Sequence, residues 1–190
     1  MPIGPTSLAR TLMHAIVVYE SMFGNTHLIA EAIGDGMREM IEADVVSIHR
    51  VSTDMVKRAD LLVVGGPTHM HGMSHASTRK SAVNELSKPD TDLTLDPNAD
   101  GDGVREWLES LEPLTVHAAA FDTRIDVSAL ISGRASKGIS KHLRQLGCDI
   151  MSEPESFLVT KATHLEPDEA ARAHAWGRAL ASKAMTSTTP

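Results

Sequence analysis

The stretch AIVVYESMFGNTHLIAEAI, residues 15–33, decides how the rest of the chain is read. Ala15 to Tyr19 form a short apolar run ending in an aromatic, which suits a buried strand. Leu28, Ile29, Ala32, Ile33 and, further on, Met37 recur at helical spacing. A polar loop joins the two, so the order is strand, loop, helix. Ser21, Gly24, Asn25 and Thr26 stand where the first unpaired N–H groups of that helix must point. Two readings follow from these residues alone. Either Asn25 or Thr26 closes the helix as an ordinary N-cap, or the N–H groups, the helix dipole and the hydroxyls together hold an anion such as a phosphate.

Working outward, short strands and helices alternate. Strands are expected at residues 14–19, 45–48, 60–65 (DLLVVG), 115–121 (TVHAAAF), and in two parts at 148–151 and 156–159 around the turn at Pro154. Helices are expected from Asn25 to about Glu42 and at 52–58, 74–86, 103–111, 135–146 and 168–184, with Gly147 suited to a left-handed helix end. The apolar runs of the strands are continuous instead of alternating, which marks strands covered by helices on both faces. The fold class expected is therefore α/β, a doubly wound five-stranded parallel sheet. In such sheets ligands bind beyond the carboxyl ends of the strands. Three segments qualify: Ser21 to Thr26, Gly66 to Gly72 (GPTHMHG), and Asp122 to Arg124.

Composition bounds the rest. With 190 residues, 42% hydrophobic and 23% charged, the chain suits one globular domain, read as residues 14–184 between an N-terminal extension (1–13, expected to be mobile) and a C-terminal tail (185–190). A net charge of −7 argues against nucleic acid as a partner, and no apolar run is long enough to span a membrane. The first thirteen residues have neither a basic start nor an apolar centre, so a cytoplasmic location is expected. Cys148 is the single cysteine and reads as a small buried apolar residue. Between Lys88 and Pro113, eight acids (Asp90, Asp92, Asp96, Asp100, Asp102, Glu106, Glu109, Glu112) face two bases, with residues 88–102 read as an acidic insertion.

Several motifs fail on spacing. Asp96, Asn98, Asp100 and Gly101 begin like a calcium loop, but Trp107 stands where a bidentate glutamate is required; an acidic loop with Asp102 capping the next helix is the better reading. His69, His71 and His75 have no local carboxylate to complete a metal site. No GxGxxG opens a helix, and no nucleophile elbow occurs.

The run from Val17 to Ile33, with Tyr19, Ser21, Gly24, Asn25 and Thr26, together with Gly65-Gly66-Pro67-Thr68-His69 after the third strand, resembles the flavodoxin family over roughly residues 14–183. Tyr19 to Met22 is further similar to the flavodoxin domains of flavodiiron proteins. The resemblance implies strand order 2-1-3-4-5 and FMN as cofactor. It implies that Ser21, Met22, Phe23, Gly24, Asn25 and Thr26 surround the phosphate. Pro67, Thr68, His69, Met70, His71 and Gly72 would flank one side of the flavin, and Phe121, Asp122, Thr123 and Arg124 the other. The chain departs from the family in its 3% aromatic content: the second loop offers His69, Met70 and His71 for stacking, and Phe121 could point into the core. The function implied is electron transfer between redox proteins, with no catalytic side chain and the acidic segment Asp90 to Glu112 facing a basic partner such as a reductase. The alternatives are a flavin reductase of the NAD(P)H:quinone type on the same fold, and a binding or regulatory module that has lost FMN.

Overall fold

The computed structural model describes residues 13–69, 72–85, 94–96, 99, 101–128 and 132–187. Seven strands and six helices lie in this part of the chain. The strands are β1 (His14–Tyr19), β2 (Glu42–Ser47), β3 (Leu61–His69), β4 (Gly72–Met73), β5 (His117–Ile125), β6 (Asp149–Ile150) and β7 (Glu155–Val159). The helices are α1 (Asn25–Arg38), α2 (Thr53–Arg58), α3 (Ala76–Glu85), α4 (Val104–Glu109), α5 (Ala135–Gln145) and α6 (Glu169–Ser187). The sheet runs β2-β1-β3-β5, and β6 and β7 both pair with β5 further along it. All of these pairings are parallel; β4 turns back on the end of β3 as a two-residue antiparallel hairpin. Counting β6 and β7 as one interrupted strand gives the expected five-stranded order.

Strand residues sort cleanly by parity, as a pleated sheet covered on both faces requires. Ala15, Val17, Leu61, Val63, Ala119 and Phe121 pack under Ile29, Ile33 and Met37 of α1 and Ala173, Leu180 and Ala181 of α6. Their neighbours Ile16, Val18, Leu62, Val64, Ala118 and Ala120 pack under Val56, Val104, Leu108, Ile139 and Leu143 of the opposite layer. Both sets are almost wholly buried, so each central strand contributes about half of its side chains to each core. Gly147 adopts φ +98°, the left-handed end expected for α5, and Cys148 beside it is buried.

Several boundaries differ from the expectation. β3 runs on to His69 and β5 to Ile125, because Gly65, Gly66 and Pro67 pair in register with Phe121, Asp122 and Thr123. Hydrophobicity ends before the ladder does, since the carboxyl ends of the central strands turn polar. Asp122 to Arg124 thus belong to a strand and not to a loop. α1 ends at Arg38 instead of Glu42, freeing Glu42–Ser47 to pair all along β1, and Leu28 is exposed on its outer side. The N-cap of α4 is Gly103, not Asp102. Residues 1–12, Met70, His71, Asp90, Asp92, Asn98, Asp100 and 188–190 lie outside the described residues, and with them most of the extension, the acidic insertion and part of the tail. Among the described residues, no helix is long and apolar enough to cross a membrane.

Candidate functional site

The chain leaves β1 at Tyr19 and is held against the next strand by the Glu20 N–H, which donates to the Gly65 carbonyl at 3.0 Å. Gly24 is the N-cap of α1 and takes φ +88°, a left-handed conformation that side chains other than glycine's rarely accept. Its own N–H donates to Ser21 Oγ at 3.1 Å, which closes the loop on itself. No side chain caps the helix, and its first turn carries no acid. Asn25 and Thr26 are both engaged elsewhere. The Asn25 amide donates to the Thr163 carbonyl at 2.7 Å, and Thr26 Oγ1 shares a buried 2.7 Å hydrogen bond with Thr123 Oγ1. The N-cap reading is therefore set aside in favour of a helix end whose first N–H groups are left for something other than its own side chains.

A cleft of about 210 Å³ opens beside this helix end, at the carboxyl ends of β1, β3 and β5. Met22, Phe23, Asn25 and Thr26 form its first wall; Pro67, Thr68 and His69 form the second. Thr123, Arg124 and Ile125 from β5 make the third, and Val159 and Thr163 close the far side. Thr68 Oγ1 accepts from the Ala135 N–H at the start of α5, which fixes that wall to the helix layer. Two of the lining residues carry a buried nitrogen without a hydrogen-bond partner among the described residues: His69 Nε2 and Arg124 Nε. Burial, helped by the Arg79 charge, holds the His69 imidazole below the usual histidine range.

Other residues named from the sequence sit apart from this cleft. Phe121 is fully buried, edge-on to Phe157 and Trp176 with centroids 6.2 and 6.4 Å away. Asp122 is also fully buried and accepts the Ser136 N–H at 2.7 Å; burial raises its pKa. Parity explains the pair: Phe121 faces the α1/α6 layer and Asp122 the opposite one, both beneath the strand ends. Ser21 opens onto a neighbouring hollow with Tyr19 and His27, whose rings stack at 4.7 Å. Gly72 is tied into the β3–β4 hairpin opposite His69.

Ile125, Val159 and Thr163 were not anticipated as lining residues. The signal for the last two was available, because a loop beyond the carboxyl end of β7 meets the same topological rule as the other three segments. That loop is tightly organised: the Thr160 N–H donates to the His164 carbonyl at 2.7 Å, and Thr163 takes φ +62°. Glu20 was also missed. Its Oε1 accepts from Ser74 Oγ at 2.6 Å and its Oε2 from the Val104 N–H at 2.8 Å. Arg79, nearly fully buried, donates to Ser74 Oγ and pairs with Glu106. Burial raises the Glu20 carboxyl pKa against the pull of these donors. The network joins the end of β1 to α3 and α4, bracing the cleft from behind.

Comparisons with known proteins fit this geometry. The flavodoxin family model matches residues 17–109. Over 107 residues the chain is 32% identical to an NAD(P)H dehydrogenase (quinone) of Geotalea daltonii, which takes in 55% of this chain and 50% of that protein. The chain thus spans about half the length of that curated relative. A solved flavodoxin from the domain Archaea superposes with TM-score 0.63 at 24% identity, covering 91% of this chain and 99% of its own. The flavodiiron protein from Giardia intestinalis gives TM-score 0.58 at 20% identity over 91% of this chain but 36% of its own. At these identities the solved structures speak for the fold. The chain thus carries the flavodoxin family's sequence pattern over residues 17–109 and the flavodoxin fold over nine-tenths of its length.

Proposed function

We propose that this chain binds FMN and carries electrons between larger redox proteins. The observation that supports this best is the meeting of an uncapped α1 N-terminus, led by left-handed Gly24, with a cleft lined by three strand ends. The residues fit the cofactor's chemistry at both ends. A phosphate finds backbone N–H donors without needing a lysine, and the Thr26 hydroxyl, accepting from Thr123, and the second amide hydrogen of Asn25 add to them. A flat heteroaromatic ring finds Pro67, Thr68 and His69 on one side and Thr123 to Ile125 on the other, with Phe23 the aromatic at the rim. Bound FMN supplies the redox chemistry; the protein sets its exposure, orientation and electrostatic surroundings. No side chain is required as an acid, base or nucleophile.

The purified protein, incubated with FMN, is expected to retain a flavin absorption spectrum through desalting. Thr26→Ala should weaken FMN binding by about 1–2 kcal/mol, the scale of a hydrogen bond to a charged group. Titration by flavin fluorescence measures it, and an unchanged affinity would remove Thr26 from the phosphate site. Failure to take up any flavin would favour a binding module on this fold.

The similarity to a quinone dehydrogenase favours a second reading, in which the flavin accepts hydride from NAD(P)H and passes it to a small quinone. Rapid NAD(P)H oxidation with a quinone and no partner protein would displace the carrier reading. A basic reductase remains the partner we propose for the carrier. Two carboxylates of the acidic segment are engaged internally, Glu106 with Arg79 and Glu112 with Lys57 at 2.9 Å. The charge left to meet a partner is accordingly smaller than the sequence suggests.

A further inference from the structure

The chain carries a net charge of −7, yet from Val127 to Cys148 it has no acid and four cations, Arg134, Lys137, Lys141 and Arg144. The last three fall at i, i+4 and i+7 on α5, whose other face buries Ile139 and Leu143. All three are exposed, and among the described residues none has an ion-pair partner. Arg144 in the last turn suits the negative end of the helix dipole. Lys137 stands in the first turn, at the positive end, where no acid offsets it, so the helix itself gains nothing from that charge. α4 lies beside α5 in the same layer, its Val104 and Leu108 sharing a core with Ile139 and Leu143. It carries the opposite sign. Asp102 just before it and Glu109 at its end are exposed carboxylates without an ion-pair partner among the described residues. Glu112 beyond it is held by Lys57 in a surface pair, a kind of contact worth little. Adjacent stripes of opposite sign are self-complementary under a twofold axis, which sets the α5 of each copy against the α4 of the other.

We propose that the α4–α5 face docks a second copy of this chain, with Lys137, Lys141 and Arg144 of one copy meeting Asp102, Glu109 and Glu112 of the other, twice about one twofold axis. Charge complementarity favours this occupant over a nucleic acid or an anionic membrane, because the carboxylates beside α5 repel a uniformly negative surface. Opposite charges across such a face steer the approach and fix its register, and salt screens their attraction. None of these six residues lines the cofactor cleft, so the pairing does not depend on FMN.

Sedimentation velocity of the full chain over a range of concentrations tests this. At low salt the wild-type protein is expected to approach the mass of two chains as concentration rises, and to return to one chain in about 1 M salt, where the screening length is about 3 Å. The triple variant Lys137→Glu, Lys141→Glu, Arg144→Glu should raise the dimer dissociation constant about a hundredfold or more, since it sets like charges opposite one another. Asp102→Lys with Glu109→Lys should do the same. Mixing the two variants restores opposite charges at both contacts, so an equimolar mixture should form a heterodimer at low salt although neither variant pairs alone. That rescue also shows that both variants are folded. A wild-type chain that stays monomeric at every concentration at low salt overturns the inference. So does a dimer indifferent to salt and to both sets of reversals, which would place its interface elsewhere, and so does a mixture that stays monomeric while each variant keeps the wild-type urea midpoint.

Discussion

Glu20 is the residue whose charge state most affects how the strand end is braced. Its pKa in the folded protein is raised above the ordinary 4.5, mainly by burial. Between that value and its raised native pKa, the folded state binds more protons than the unfolded one, so stability from this group falls as pH rises. Glu106 has the opposite sign. Burial alone would raise it, but the N–H groups of Glu106 itself and Gly103 and the Arg79 guanidinium hold it below the usual range; its contribution is lost as pH falls. In urea unfolding across pH 4.5 to 7, the stability of wild type relative to Glu20→Gln is expected to decline as pH rises. A difference independent of pH would mean that Glu20 titrates alike in both states. Cys148 offers a simpler test. Burial pushes its thiol up to about 11, so at pH 8 the native protein should react with a disulfide reagent only as fast as it unfolds. Prompt labelling without urea would contradict its buried placement.

At the scale of elements, the layer that carries the β1–α1 loop is held by the approach of α1 to α6. A Cβ added at Gly177 would lie 2.1 Å from the Ile33 carbonyl oxygen, and one at Gly36 would lie 2.0 Å from that of His174. The two glycines permit backbone-to-backbone contact between helices that most side chains would hold apart. Gly177→Ala should therefore destabilise by about 1–3 kcal/mol, the range for overpacking, despite alanine's better helix propensity. The shift in urea midpoint measures this, and a stabilised variant would mean the helices separate freely. The same layer encloses Phe121, Phe157 and Trp176, with the Arg172 guanidinium 4.4 Å above the Phe157 ring. Phe121 also lies over Gly65, where an added Cβ would meet its ring at 2.1 Å. The aromatic that the third segment offers to the cofactor is thus a core residue.

For the molecule as a whole, binding and stability are linked. FMN at a hundred times its dissociation constant should add about 2.7 kcal/mol to unfolding, provided the unfolded chain does not bind it. Riboflavin lacks the phosphate, so it should give a smaller thermal shift at the same concentration if the α1 N-terminus is the anchor. Equal shifts would locate the affinity in the ring end alone.

Much of this was legible in the strand–loop–helix stretch at residues 15–33, because apolar run length, helical spacing and loop chemistry are local properties. They were enough for the α/β class and the loops at the carboxyl edge, while the strand order followed from the resemblance to the flavodoxin family. Three things were not local. The polar ends of β3 and β5 are strands only because Gly66 and Pro67 find Asp122 and Thr123 beside them. Asn25 and Thr26, equally good as caps in the sequence, are drawn away by Thr163 and Thr123, residues about a hundred or more positions distant. Phe121 and Asp122 lie beneath the cleft, buried on opposite faces of β5, while Ile125 and Thr163 are brought to it. The sequence by itself determined which segments would meet at the edge of the sheet, since hydrophobic periodicity sets the elements and their order. Which side chains face the cleft was decided by the tertiary structure, because that depends on register and on partners that local pattern does not contain.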